Sequence, residues 1–377
     1  MKIPLCIPCV GEEELDAIRS VLESGWLTHG PKNREFAARF AEYIGVKHAI
    51  PMNSCTSALQ LALEAQGITG EVILPSFTFV ASANAIVNAG AQPVFADIEY
   101  DTCNIDPSSI KASVTSRTEA IMVVHFGGQS CRMDAVMQIA ERHGLAVIED
   151  SAETIGGEFR GQKAGSFATG CFSFYPTKNI TTGDGGMLTT DNDELGGKVR
   201  ALIAHGISSI AHEREGQAKP WFRSAMYAGY NFRMSDILAA IGVEQMKKID
   251  GMNEARREHA AYLSERLAGL DQIDLPVELP ECKHVYQMYT IKVKDVNRDE
   301  FVGRLRNRGI SASVHFDPSV HLQEYYRTLG TSPVPLPVTE RVSRSIVTLP
   351  MYPQLNTVEL DYMVKVIKET LAIMETV

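Results

Sequence analysis

"HAIPMNSCTSALQLALEAQGITGEVILP", residues 48–75, is the stretch whose reading decides the fold. Its two ends are short apolar runs of strand length. Between them, TSALQLALEAQ repeats apolar residues at i, i+3, i+4 and i+7, the spacing of an amphipathic helix. Strand, helix and strand in succession predict a right-handed βαβ unit and a mainly parallel sheet covered on both faces.

The alternation continues outward. QPVFAD (92–97), AIMVVH (120–125) and LAVIED (145–150) read as further buried strands, separated by the helical segments FVASANAIVNAG, DPSSIKASV and MDAVMQIAERHG. GCFSFY (170–175) and GGMLTT (185–190) read as two more strands, and their short connection permits an antiparallel pair. After residue 191 the pattern turns helical, with ELGGKVRALIAHG, then MSDILAAIGVEQMKKID leading into EARREHAAYLSERLAGL; residues 207–230 between them are polar, aromatic and irregular. Strands return in HVYQMYTIKV (284–293) and ISASVHF (310–316), with helices near 298–308 and 357–374. The expected division is therefore a large α/β domain over 1–250, including an entry segment 1–30, and a smaller α+β domain over 251–377.

Bulk properties narrow the function. With 377 residues, 45% hydrophobic and 22% charged, the chain is long enough for a sizeable core. A net charge of -10 disfavours nucleic acid and anionic membranes as partners. No apolar run approaches the ~20 residues of a membrane span, and MKIPLCIPCVGEEEL turns acidic before a signal-length apolar region. A cytoplasmic protein is expected. Seven scattered cysteines argue against a disulfide framework. CIPC at 6–9 lacks the second Cys or His pair of a tetrahedral site, so no metal is expected.

Ligands of doubly wound sheets bind at the carboxyl ends of strands, and three features fall there. Asn53, Ser54, Cys55 and Thr56 open a helix just after HAIPM, where free amides and the helix dipole suit a phosphate. The plain alternative is N-capping by Ser54 or Asn53. Asp150 ends an uninterrupted apolar strand; either it and Glu153 start a helix in the manner of a capping box, or its carboxylate faces a cationic ring nitrogen. Lys178 sits among the aromatic, hydroxyl and glycine residues of FSFYPTKNITTGDGGML (172–188), with Ser173 before it. It either snorkels to solvent or is covalently occupied. A phosphate turn, an acid and a lysine on one sheet edge match pyridoxal 5'-phosphate, which carries a phosphate, a ring nitrogen and an aldehyde.

Six runs, SGWLTHGP, NSCTSALQLAL, PSFTFVASANAIVNAGAQPVFADI, VIEDSAETIGG, FSFYPTKNITTGDGGMLTT and GYNFRMSDILAAIG, occur in an order that resembles the DegT/DnrJ/EryC1/StrS family of sugar aminotransferases over nearly the whole chain. The resemblance implies the fold type I architecture of pyridoxal phosphate enzymes, with a mainly parallel seven-stranded sheet, and a homodimer with shared active sites. It implies that Lys178 bonds to the aldehyde and Asp150 pairs with the ring nitrogen. Phe79 would stack on the ring, where otherwise a buried core aromatic is the simpler reading. Ser54, Cys55, Thr56 and Ser173 would hold the phosphate, with Asn231 supplied by the neighbouring subunit. Glu153 stands where many members have Gln beside the phenolic oxygen, as in enzymes similar to perosamine synthase. Cys55 stands where Ala or Gly is common. Trp26, Thr28 and His315 would lie near a nucleotide-linked sugar.

The implied reaction moves an amino group from L-glutamate to a nucleotide-linked keto sugar, a 4-keto-6-deoxyhexose by resemblance. The cofactor alternates between its pyridoxal and pyridoxamine forms, and the end use is amino-sugar supply for a lipopolysaccharide O-antigen. Rival readings are a sugar 3-dehydratase, an aminotransferase for inosose-type ketones or aromatic amine precursors, a non-enzymatic sensor or regulator on the same fold, and a Schiff-base aldolase. The dehydratase carries histidine at the lysine position; the regulator is expected to lose Lys178 or Asp150; the aldolase needs no phosphate turn.

Overall fold

The computed structural model describes residues 1–207, 221, 223–329 and 335–375. Most of the irregular stretch at 207–230 lies outside the described residues. Two helices lead in, α1 (Glu12–Ser24) and α2 (Pro31–Ile44). The decisive stretch then forms β1 (His48–Met52), α3 (Cys55–Gln66) and β2 (Glu71–Pro75). Next come α4 (Val80–Asn88), β3 (Gln92–Ala96), β4 (Thr118–Val124) and β5 (Ala146–Asp150). Two short strands, β6 (Glu158–Phe159) and β7 (Gln162–Lys163), precede β8 (Thr169–Ser173) and β9 (Gly186–Thr190).

Seven strands form one sheet in the order β1-β9-β8-β5-β4-β2-β3. Pairs along β3, β2, β4, β5 and β8 are parallel, whereas β9 pairs antiparallel with both β8 and β1. Only β9 therefore runs against its neighbours, and the carboxyl ends of the other six share one edge. Side chains alternate across a strand, so each strand feeds two cores. Ile148, Cys171 and Leu188 pack with the buried faces of α3 and α4. Phe172 and Met187 pack with Phe36, Phe40 and Ala239, and Val147 with Ile121 and Val136. Helix α3 is apolar nearly all round because it lies between the sheet and a neighbouring helix, the pattern of a buried helix.

The GYNFRMSD motif also has a structural use. Asp236, 2% exposed, accepts from the amides of Gly30, Lys32 and Asn33 and from Asn33 Nδ2. A carboxylate there satisfies the orphan donors of α2's first turn.

Toward the C-terminus, β10 (Ile273–Asp274), β12 (Tyr289–Val293) and β13 (Ile346–Leu349) form an antiparallel sheet, and β11 (Cys282–Lys283) pairs with β6. Tyr289, Ile291, Val347 and Leu349 build a core there with Phe301, Leu305, Met363 and Ile367. Two expected strands differ. In HVYQMYTIKV only the second half is strand; Tyr286 has φ 44°, and the amides of Val285 and Met288 donate instead to Gly128 and Gly127. ISASVHF forms no strand. Its first residues bond to Ile3 and its middle to Thr348, so neither partner gives it a continuous ladder. Strand β13 takes the place beside β12.

Candidate active site

One cavity of ≈ 570 Å³ opens at the shared strand edge. Its lining includes Ser54, Cys55, Thr56, Phe79, Asp150, Glu153, Ser173, Lys178 and His315, nine of the residues singled out in the sequence. Asn231, Trp26 and Thr28 lie outside it. Asn231 is exposed, and its Oδ1 accepts from Arg233. The Trp26 indole donates to the carbonyl of His29, and Thr28 is exposed.

The phosphate turn is built by β1 running straight into α3. Ser54 caps the helix by accepting from the amide of Ser57 at 3.1 Å. Capping therefore occurs, and it leaves the first amides of α3, at Cys55 and Thr56, to be satisfied from outside the helix. Strand β9 closes the turn from the side: a Cβ on Gly186 would stand 2.3 Å from Ser54 C and 2.4 Å from Cys55 N. Only glycine lets the two backbones come that close. Burial pushes the Cys55 thiol well above its usual pKa, so it is a neutral wall.

Phe79 is the N-cap of α4 and 62% exposed. The ring is bare on the cavity wall, so Phe79 is not the buried core aromatic of the simpler reading. No helix follows Asp150; residues 151–157 make successive turns, so the capping-box alternative fails. The carboxylate is 5% exposed and accepts from Ser82 Oγ at 2.7 Å and from the amide of Ala152 at 3.2 Å. Burial raises its pKa, and these two bonds oppose that shift.

Lys178 stands in the turn after β8, its side chain 16% exposed, with Nζ 3.3 Å from Glu153 Oε1. The other oxygen of Glu153 accepts from the amide of Gly127 at 3.0 Å. His315 reaches in from the C-terminal unit, with Nδ1 2.8 Å from Thr348 Oγ1. Burial lowers its pKa and so favours neutral imidazole. Sequence reasoning missed Thr78, Ser82, Asp184 and Gln287, which also line the cavity. Asp184 lies within a quoted motif, and Gln287 within a segment read only as a strand.

This donor set fits pyridoxal phosphate on its chemistry: amides at a helix start for the phosphate, a bare aromatic plate, a buried carboxylate and an amine. Among the described residues, no group of three or more His, Cys, Asp or Glu could hold a metal, and no helix is long and apolar enough to cross a membrane.

Comparison with known proteins agrees. Residues 8–368 match the DegT/DnrJ/EryC1/StrS aminotransferase family, whose members depend on pyridoxal phosphate. The spore coat polysaccharide biosynthesis protein SpsC of Bacillus subtilis is 39% identical over 97% of this chain and 96% of its own length. Among solved structures, the aminotransferase TlmJ from Streptoalloteichus hindustanus superposes with a TM-score of 0.92 at 30% identity, covering 99% of each chain. Helicobacter pylori PseC, an aminotransferase involved in the biosynthesis of pseudoaminic acid, gives 0.93 at 28% identity and covers 100% of both chains.

Proposed function

The chain belongs to the DegT/DnrJ/EryC1/StrS aminotransferase family, and from that premise we propose that it moves an amino group from L-glutamate to the keto group of a nucleotide-linked sugar, a 4-keto-6-deoxyhexose in our reading. The observation that carries this is the meeting of Lys178, Asp150 and the Ser54–Thr56 turn in one cavity. PseC, which acts in pseudoaminic acid biosynthesis, and SpsC, which acts in spore coat polysaccharide biosynthesis, support a sugar substrate and a surface polysaccharide, such as an O-antigen, as the end use.

When bound, pyridoxal phosphate supplies a ring that takes up the electron pair left as a C–H bond beside the amino nitrogen breaks. Lys178 would hold the cofactor through its aldehyde carbon. Once displaced by the amino donor, its amine would take the proton from the donor's α-carbon and deliver it, past the amino nitrogen, to the former aldehyde carbon. In the second half of the reaction it moves a proton the opposite way, onto the sugar carbon. Asp150 holds the proton on the ring nitrogen. Phe79 would cover one ring face, and Ser54, Cys55, Thr56 and Ser173 would hold the phosphate. Glu153 stands beside the Lys178 amine and would meet the cofactor's phenolic oxygen.

We assign Asn231 to the phosphate of a second copy, which makes the active unit a homodimer. Its exposure and its position outside its own cavity support that reading. His315, Trp26 and Thr28 are assigned to the nucleotide sugar. Residues 1–250 hold the cofactor, 251–377 close the site from the other side, and the reaction runs in the cytoplasm. Lys178, where a dehydratase carries histidine, favours amino transfer.

The test is a panel of nucleotide keto sugars with glutamate, read by the cofactor's absorbance. Glutamate alone should bleach the pyridoxal band, and the true keto sugar should restore it. Lys178→Ala should fold and still bind cofactor but show no turnover. Normal turnover in that variant ends the assignment.

A further inference from the structure

Behind Asp150 lie two buried hydroxyls that the reaction scheme leaves unused. Ser82 is 1% exposed and Thr78 is 2% exposed. Ser82 Oγ lies 2.7 Å from Asp150 Oδ2, 2.8 Å from Thr78 Oγ1 and 3.3 Å from the carbonyl of Phe79. A hydroxyl has one proton to donate. The nearer and charged acceptor is the carboxylate, and such bonds are the stronger kind. Ser82 therefore donates to Asp150 and accepts from Thr78, giving a directed chain, Thr78 to Ser82 to Asp150. The local alternative, in which Ser82 merely bonds back to the Phe79 carbonyl within its own helix, is the longest of the three contacts.

We propose that Ser82 is a positioning residue for Asp150: its hydroxyl, itself fixed by Thr78, pins one carboxylate oxygen while the Ala152 amide pins the other, so that the free lone pairs face the cofactor's ring nitrogen. This rests on the assignment of Asp150 to that nitrogen. The chain places both devices on one element, because Phe79 is the N-cap of α4 and Ser82 lies in its first turn. The plate for the ring and the anchor for the acid consequently move together.

Other groups also act on this carboxylate. Glu153 raises its pKa and Lys178 lowers it, and it in turn raises the pKa of the buried thiols Cys55 and Cys171. The test must isolate the hydroxyl from them. The probe is pyridoxal 5'-phosphate, titrated into cofactor-free wild type, Ser82→Ala, Ser82→Thr, Thr78→Val and Asp150→Asn, with the absorbance of the bound form followed against pH.

Losing a hydrogen bond to a charged group should weaken cofactor binding in Ser82→Ala by roughly 10- to 100-fold. It should also move the acid limb of the pH profile to higher pH. Ser82→Thr should restore both, and Thr78→Val should shift them in the same direction by less. If Ser82→Ala matches wild type in affinity and pH midpoint while Asp150→Asn alters both, the relay is wrong and Asp150 keeps its role. If Asp150→Asn is also silent, the assignment of Asp150 falls and takes the relay with it. If Ser82→Ala lowers the melting temperature without moving the pH midpoint, and threonine does not rescue it, Ser82 is a packing residue and the proposal is overturned.

Discussion

Two acids stand side by side at the end of β5, and their surroundings are opposite. Glu149, on the back of the sheet, is fully buried and accepts four bonds, from the amides of Gly165, Phe167 and Ala168 and from His125 Nε2. The histidine's role is set by its other nitrogen. Nδ1 accepts from the amide of Cys131, so Nε2 carries the hydrogen that points at Glu149. Asp150, on the front, accepts two side-chain or amide bonds from behind and turns its remaining capacity to the cavity. A carboxylate has about four lone-pair sites. Glu149 has filled its set with the protein's own donors, and Asp150 has not. The difference separates an acid satisfied by the fold from one with acceptor capacity left toward the cavity, although in the sequence the two are adjacent letters.

The sharpest way to break the comparison is to neutralise the front acid. Asp150→Asn keeps the shape and removes the charge that, in the proposed function, holds a proton on the ring nitrogen. Turnover should fall on the order of 10³-fold, the scale of losing one electrostatic stabiliser of a reacting group. The thermal midpoint of the cofactor-free chain should not drop. Steady-state rates with glutamate and a keto sugar, beside a melting curve, decide it. A variant that turns over normally would put Asp150 in the same class as Glu149.

Neutralising the back acid should do the reverse. In Glu149→Gln the amide nitrogen must face either the Phe167 and Ala168 amides or the Gly165 amide and His125, donor against donor. Leaving such buried donors unpaired should cost about 3 kcal/mol of stability. At a temperature where the variant is still folded, its rate should stay within a few-fold of wild type. Denaturant unfolding and rate measurements on one preparation check both halves. A catalytic collapse in a stable protein would show that the two sides of β5 are not separable.

Much of this was legible beforehand, for physical reasons that can be named. β1 and β2 follow from the apolar runs that a sheet covered on both faces demands; the repeat at i, i+3, i+4 and i+7 placed α3 correctly but understated its burial, which is nearly all round. Asp150, Lys178 and the Ser54 turn were readable because each ends or follows a strand on one edge. Ser82 was not. Within FVASANAIVNAG it is a small residue on a buried helix, and its partner lies 68 positions away. Only the fold brings them together. The C-terminal strands failed similarly. ISASVHF alternates as a strand should, but its backbone bonds are split between Ile3 and Thr348, a competition that alternation does not record.

The smallest expected effect is the most specific to the comparison, because it concerns sign. Burial raises the Asp150 pKa in the folded, cofactor-free chain above the usual carboxylate value of 3.8. Folding then favours the protonated form. The group's stabilising contribution is complete below the unfolded pKa and is lost as pH rises through the folded value. At neutral pH the ionised acid is a burden on the empty site. Cofactor-free Asp150→Asn should therefore melt slightly above wild type at pH 7, with the gap closing as pH falls toward 3.8. Adding pyridoxal phosphate should reverse the order, since the ring nitrogen supplies the partner that the front of β5 lacks. Melting curves for the two proteins across that pH range, with and without cofactor, read the sign directly. A gap that stays constant with pH would mean that Asp150 is as well satisfied by the protein alone as Glu149, and the distinction between the two acids would be lost.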